Sequence, residues 1–128
     1  MNRLISLITL IILSVATLSA KAPDLAVEKL FDGRFSDEKN VSISVHKSNG
    51  DFFRGMTVTN NPTIVQAIAK AINKDAANAS NYFEHKNDDG HFTALTIVNH
   101  GDTIQIGFKR DNSHGAFLFI QGKEKAFK

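Results

Sequence analysis

The sequence predicts an α+β protein: an antiparallel sheet, made of a hairpin plus a four-stranded meander, with one main helix packed on it and a short amino-terminal helix. Apolar and polar side chains alternate with period two at 41–46 and over most of the chain after residue 81, as they do in half-buried strands. Turn-forming stretches rich in Asn, Asp and Gly separate these segments. Only one long segment, which begins at Pro62, has its apolar residues at helical spacing.

The amino terminus predicts a cleavable export signal over residues 1–20. Arg3 precedes an apolar run at 4–18, and Ser19 and Ala20 offer a site for signal peptidase. The run is shorter than the roughly 20 apolar residues of a membrane-spanning helix. We therefore expect an exported protein in the periplasm, at the cell surface or secreted, with no stable membrane insertion after cleavage. An uncleaved anchor is the alternative.

Composition limits what residues 21–128 can be. The chain has no cysteine, so no disulfide holds it together, but its length is sufficient for a single domain to fold by burying apolar surface. The full chain has a formal net charge of +2, and removal of Arg3 with the signal leaves about +1, which is too small to indicate a nucleic-acid partner.

The first elements of this domain follow from spacing and turn chemistry. A short helix is predicted from the helical spacing of Val27, Leu30, Phe31 and Phe35, and is expected to end near Gly33 or Phe35. The alternating segment that begins at residue 41 and a second strand at 52–59 flank the sequence Ser-Asn-Gly-Asp, which is typical of a tight hairpin turn.

The main helix begins with a strong start signal. Asn61 can cap free backbone N–H groups, and the fixed φ of Pro62 suits the first helical position. The helix is predicted to fade near Asn78. Four apolar residues share one face, namely Ile64, Val65, Ile68 and Ile72. Four polar residues are expected on the other side, namely Lys70, Asn73, Lys74 and Asp75.

The meander follows from three turns, at 87–90, 99–102 and 111–115. A turn on His100-Gly101 pairs 98 with 103, so that the apolar residues at 95, 97, 104, 106 and 108 share one face. The opposite face of this hairpin is mixed in polarity and could face water. The last strand, 116–121, is apolar on both faces, which predicts a central or doubly covered position. The tail at 123–128 is expected to fray.

Candidate metal ligands cluster near two of these turns. Alternate turns of a meander lie at opposite ends of the sheet, so His85, His91, His114, Asp89 and Asp111 could gather at one rim. The simpler interpretation is that solvated turns are made of such residues, and no tight ligand spacing occurs. We predict neither a metal nor a cofactor, and keep a metal- or small-ligand-binding protein using this rim as an alternative.

No catalytic signature supports an enzyme. The chain lacks cysteine, has no Gly-x-Ser-x-Gly sequence and has no phosphate-cradling glycine loop. We therefore predict a non-enzymatic binding or accessory module that meets an unknown protein partner in the cell envelope. A secreted hydrolase inhibitor, using the loop at 111–115, is a further alternative.

Aromatic residues supply the partner-binding candidates. The chain has ten phenylalanines, one tyrosine and no tryptophan, and most of the ten are expected in the core. Phe52 and Phe53 are adjacent on a strand, so one of them points away from the face that the other occupies. Phe52, as one of this pair, and Phe92, on the mixed face, are the predicted contact residues.

Three segments carry a resemblance to a wider group. The sequences EKLFDGRF at 28–35, VNHGDTI at 98–104 and FIQGK at 119–123 follow a short signal peptide. Together they resemble small exported proteins of unknown function from gut-dwelling Gram-negative anaerobes. The resemblance implies a one-sheet α+β build in the periplasm or at the cell surface, and it implies no catalytic or ligand residues. Asp102-Thr103-Ile104 also resembles the triplet on which some of these bacteria place O-glycans, which leaves glycosylation of Thr103 open.

Overall fold

A six-stranded antiparallel sheet forms the centre of the fold in the computed structural model. The structure describes residues 25–32, 35 and 38–127, so the predicted signal at 1–20 lies outside the described residues. The elements in chain order are α1 (Ala26–Leu30), β1 (Val41–Ser48), β2 (Asp51–Val58), α2 (Pro62–Ala76), β3 (Asn81–Asn87), β4 (Gly90–Asn99), β5 (Asp102–Asp111), β6 (Ala116–Lys123) and the 3₁₀ helix η1 (Glu124–Phe127). The predicted α+β class is confirmed.

The strand order is β1-β2-β6-β5-β4-β3. β6 lies between β2 and β5, and thereby joins the amino-terminal hairpin to the meander. The sequence left this connection open. The central position of β6 explains why its residues are apolar on both faces.

The tight turns at Asn49-Gly50 and His100-Gly101 and the β4–β5 register are confirmed. Asn49 and Gly50 have φ values of 52° and 84°, and His100 and Gly101 have values of 55° and 81°. Both central residues of a type I′ turn require such positive φ. Ile97 pairs with Ile104. The apolar side chains of the hairpin therefore lie together on the face that the helices cover.

α2 begins as predicted, but one of its residues, Asp75, is buried and not on the polar side as predicted. The Asn61 side-chain oxygen accepts a hydrogen bond from the Ile64 N–H at 3.1 Å, and the predicted apolar face is buried. Asp75, which we predicted on the polar side, is 4% exposed. Its carboxylate accepts hydrogen bonds from the backbone N–H groups of Ala26 and Val27, at 2.8 and 2.9 Å. Asp75 therefore ties α1 to α2.

Both ends of the described chain pack onto the covered face. α1 stops at Leu30, earlier than predicted, and Phe31 is buried after it. The expectation of a frayed tail is wrong for the described residues 123–127, because Ala126 is fully buried and its carbonyl accepts a hydrogen bond from the Asn99 side chain at 2.6 Å. No helix in the described part of the chain is long and apolar enough to cross a membrane.

Candidate functional site

The sheet has one covered face and one open face. The covered face holds the core, which includes Met56, Ile106 and Leu118 together with the apolar sides of α1 and α2. Side chains of a strand alternate between faces, so the residues between these core positions point the other way. We call this second surface the open face and define it by its large side chains: Phe53, Phe83, Phe92, Val98, Lys109, Phe117 and Phe119. None of its apolar members belongs to the core cluster.

Three aromatic rings form a row across β2 and β6 on the open face. The rings of Phe53 and Phe119 are stacked, with centroids 6.1 Å apart and planes at 17°, and Phe117 lies 6.2 Å from Phe119. Phe119 on β6 pairs with Gly107 on the neighbouring strand β5. A Cβ atom added at Gly107 would lie 2.2 Å from the Phe119 ring, so the glycine provides the space in which the ring lies. We call these three residues the aromatic row.

A second aromatic pair lies on the other side of a lysine. Phe83 on β3 and Phe92 on β4 have ring centroids 6.3 Å apart. Lys109 on β5 pairs with Phe92 on one side and with Phe117 on the other, and it is exposed. The open face therefore places the Lys109 cation between two groups of rings, each with one exposed member, Phe83 or Phe117.

Two shallow depressions flank the aromatic row at opposite ends of the sheet. One has a volume of 470 Å³, and its lining includes His46, Phe53 and Gln121. The other has a volume of 690 Å³, and its lining includes Phe117 and His114. The apolar row is thus bordered by polar surface.

The predicted contact residues divide between the two faces. Phe92 lies on the open face and is half-buried. Phe52 lies on the covered face, where its ring packs edge-on against Phe127 at 5.3 Å and beneath the Arg54 guanidinium at 5.1 Å. Phe53 is the member of the adjacent pair that reaches the open face. Period-two parity with Met56, a core residue of the same strand, could have assigned Phe52 to the covered face.

Sequence reasoning missed the most exposed rings of the open face. Phe83 is 57% exposed and Phe117 is 40% exposed. Both faces of β6 are apolar, so alternation alone does not distinguish Phe117 from its buried neighbours. A signal existed for the row itself, because glycine inside a central strand often marks a close approach by another group.

The structure does not gather the predicted histidines. His85 pairs with Phe92, a residue of the open face, whereas His91 is adjacent to Phe92 on β4 and pairs with Lys86. Because successive side chains alternate between faces, His85 and His91 lie on opposite faces of the sheet. The turns at 88–89 and 112–114 are adjacent as predicted, and the Asn112 side chain donates a hydrogen bond to the Asp88 carbonyl at 2.7 Å. Across the described ranges, however, no three His, Asp or Glu side chains are placed to hold a metal ion.

The other rim candidates are engaged in turn structure. One carboxylate oxygen of Asp111 accepts hydrogen bonds from the Ser113 hydroxyl and from the N–H groups of Ser113 and Gly115, at 2.8 to 3.0 Å. These bonds, led by that of the Ser113 hydroxyl, lower the pKa of Asp111. Asp89 is exposed and donates its N–H to the Asn87 side chain. The carbonyl of His114 accepts a hydrogen bond from the Asn61 N–H, so the 111–115 turn is tied to the start of α2.

His91 belongs to a polar network near the β3 edge of the covered face. Arg110 lies 3.4 Å from its Nδ1 atom, and Arg can only donate. Nδ1 therefore accepts, and the Nε2–H donates to the Glu84 carboxylate. This bond lowers the pKa of Glu84. The Tyr82 hydroxyl donates to the same carboxylate at 3.3 Å, and its pKa is raised by burial first and by Glu84 second. Both ring nitrogens are thus in use.

These features define a class of protein: a one-sheet α+β domain with helices on one face and exposed aromatic side chains on the other. A family model matches residues 13–124, which is most of the chain. The chain therefore belongs to the DUF6108 family, a family of unknown function. No curated protein matches it.

Proposed function

We propose that the protein is an exported, non-enzymatic module of the cell envelope that binds a protein partner through the open face. The observation that carries this proposal is the exposure of Phe117 and Phe83 among the other rings of that face. Contiguous exposed aromatic surface on a soluble domain is typical of protein interaction sites.

The anatomy of the open face favours a protein over a small molecule. Small-ligand sites are concave and enclose most of the ligand, whereas a protein interface has an apolar centre and a polar rim. Here the aromatic row is central, and the depressions beside it are shallow and bordered by polar side chains such as His46 and Gln121. Lys109 adds a cation, which favours an acidic group on the partner.

Two further observations support the remaining parts of the proposal. The predicted signal at 1–20 supports export. The His91 network supports a non-enzymatic role, because neither ring nitrogen is free to take a proton from a substrate.

Site-specific photo-crosslinking in intact cells tests the proposal. A photoreactive phenylalanine analogue replaces Phe117, and a matched control carries it at Val45, which is 54% exposed on the covered face. We expect position 117 to give a discrete adduct in the envelope fraction, and position 45 to give none. Identical adduct patterns at both positions, or no adduct at 117, would contradict the proposal.

A direct binding measurement then follows with the captured partner. Phe117→Ser should weaken binding by about 10-fold or more, the range expected for truncation of a central aromatic side chain. Val45→Ser should leave binding unchanged, and circular dichroism should show both variants folded. Equal affinity of the two variants would exclude the open face as the binding surface.

A further inference from the structure

Within the described part of the chain, β3 (Asn81–Asn87) is an edge strand with one side unpaired. It pairs with β4 in a continuous antiparallel register from Asn81 to Asn87, and no other described strand lies beside it. All seven of its residues are exposed. Alternate residues of such a strand turn their backbone N–H and C=O groups away from the sheet, where they can pair with another extended chain.

The first half of β3 lacks the usual protection of an edge. Natural edge strands are commonly blocked by lysine, proline, a bulge or a covering element. At Tyr82 and Phe83 β3 instead carries two neighbouring aromatic residues, 52% and 57% exposed, on opposite faces of the sheet. Its only lysine, Lys86, lies towards the other end. The opposite edge, β1, carries serines, His46 and Lys47 beside the single exposed Val45.

We propose that β3 pairs antiparallel with β3 of a second copy of this chain, so that the two sheets join edge to edge around a two-fold axis. The register that the sequence favours places Phe83 of each copy opposite the other. It also places Tyr82 of each copy opposite Glu84 of the other. A Tyr82 hydroxyl already donates to a Glu84 carboxylate within one chain, so the same contact can form across the join.

Neighbouring registers are poorer because each of them moves Phe83 from its counterpart to a polar residue, and one step back along the strand, which pairs Tyr82 with Tyr82, places Phe83 opposite Asn81. In an antiparallel pair, the sum of the two residue numbers is the same for every pair along the register. Backbone donors and acceptors stay aligned only when this sum changes in steps of two. One step further along places Glu84 opposite Glu84, and like charges directly opposite are destabilising. The next step pairs Glu84 with Lys86 but leaves Phe83 opposite the polar Asn87. Self-complementarity at Phe83 is the reason for choosing a second copy as the occupant over an unrelated peptide.

The geometry has a consequence for the open face. Antiparallel strands of one sheet are related by an axis normal to it, so the open faces of both copies lie on the same side. The Phe83–Phe92 pairs of the two copies then meet at the join and form one continuous aromatic surface. The two proposals share Phe83, but the pairing uses the backbone of the β3 edge and the partner contact is centred on the aromatic row. The dimer is therefore tested on the purified protein without any partner, and either proposal can fail while the other holds.

Sedimentation and cysteine crosslinking test the inference on the purified protein. Wild-type protein at about 100 µM, a concentration suited to small and weak interfaces, should contain dimer. Phe83→Lys should shift it to monomer, and Val45→Lys at the opposite edge should not. Because the chain has no cysteine, Phe83→Cys should form a disulfide-linked dimer under mild oxidation, since directly opposed positions of paired strands are within disulfide reach. Val45→Cys should stay monomeric on a non-reducing gel.

Two results would overturn the inference. The first is a wild-type protein that is monomeric throughout the concentration range. The second is a dimer that survives Phe83→Lys, because that dimer would use another surface. A dimer that Phe83→Lys dissociates but Phe83→Cys does not crosslink would overturn the Phe83-centred register. Circular dichroism of each variant verifies that the side chain, which is mostly exposed, was replaced without loss of the fold.

Discussion

Asp75→Ala should destabilise the protein far more than an ordinary substitution in the last turn of a helix. The Asp75 carboxylate is 4% exposed and accepts two backbone hydrogen bonds from α1. Hydrogen bonds to a charged group contribute about 1.5–3 kcal/mol each. Removal of both also leaves two N–H groups without their partner. We expect a loss of about 3–4 kcal/mol, the lower part of the range, because a small shift at the start of α1 would let its N–H groups reach water.

Detachment of α1 sets an upper limit on that loss. α1 and its flanks bury Leu25, Val27, Leu30 and Phe31, all under 8% exposed. Release of those four side chains would cost about 1.5–3 kcal/mol each if each became fully exposed. Loss of the two Asp75 hydrogen bonds therefore costs less free energy than release of these four side chains. The expected first effect of Asp75→Ala is therefore a loosened α1 on a sheet that remains folded.

Urea denaturation measures the effect. Small domains lose about 1–3 kcal/mol of unfolding free energy per molar urea, so a loss of 3 kcal/mol lowers the midpoint by about 1–3 M. Hydrogen exchange gives a second readout, since the amide protons of Ala26 and Val27 should lose protection before those of β5 and β6.

The matched control is Lys74→Ala, which removes the neighbouring exposed side chain and should change stability by less than about 0.5 kcal/mol. Asp75→Asn should fall between the two, because one acceptor oxygen remains while the amide group faces an N–H donor. If Asp75→Ala unfolds at the same urea concentration as Lys74→Ala, the reasoning about the tether is wrong.

Two further predictions concern the open face and its rim. Gly107→Ala should lower the unfolding free energy by about 1–3 kcal/mol, because the added Cβ displaces the Phe119 ring. Gly55→Ala, whose nearest contact would be 3.2 Å, should cost less in the same urea assay, and equal costs would refute the argument. Asp111 has its pKa lowered below 3.8, so its stabilising contribution is present above that pH and is lost as pH falls through the folded value. Asp111→Asn should remove part of the acid-induced loss in a pH series of thermal melts, and an unchanged profile would contradict this.

The parts of the fold that local chemistry determines could be predicted from the sequence. The Asn49-Gly50 and His100-Gly101 turns require positive φ, which few residues other than Gly and Asn adopt readily. The second turn then fixes the β4–β5 register, because a slip by one residue would move Ile97 to the other face. The α2 start at Asn61-Pro62 is equally local.

The parts that depend on distant contacts could not be predicted in this way. Asp75 meets Ala26 across 49 positions of sequence, and its charge alone places it among solvent-facing residues. The last residues of the chain contain three lysines and a glutamate at 123–128 and therefore resemble a frayed tail. Only the central position of β6 brings Ala126 next to Asn99. The open face was missed for the same reason, since Phe53, Phe119 and Phe83 come to lie on one surface only through the β2–β6–β5–β4–β3 order.

The two phenylalanines of β6 on the open face have different physical explanations. Glycine inside a strand weakens it by about 0.5–1 kcal/mol, and an aromatic ring from the neighbouring strand can compensate by covering the bare backbone. Phe119 lies over Gly107 in this way, so stability alone accounts for it. Phe117 pairs with Lys109 and Thr57 and is 40% exposed. Its ring edge lies only at ordinary contact distance, 3.4 Å, from a Cβ atom added at Gly55, so coverage of a glycine accounts for much less of its position than it does for Phe119. Loss of partner binding on replacement of Phe119 would therefore be ambiguous, whereas loss on replacement of Phe117 would report on the surface itself.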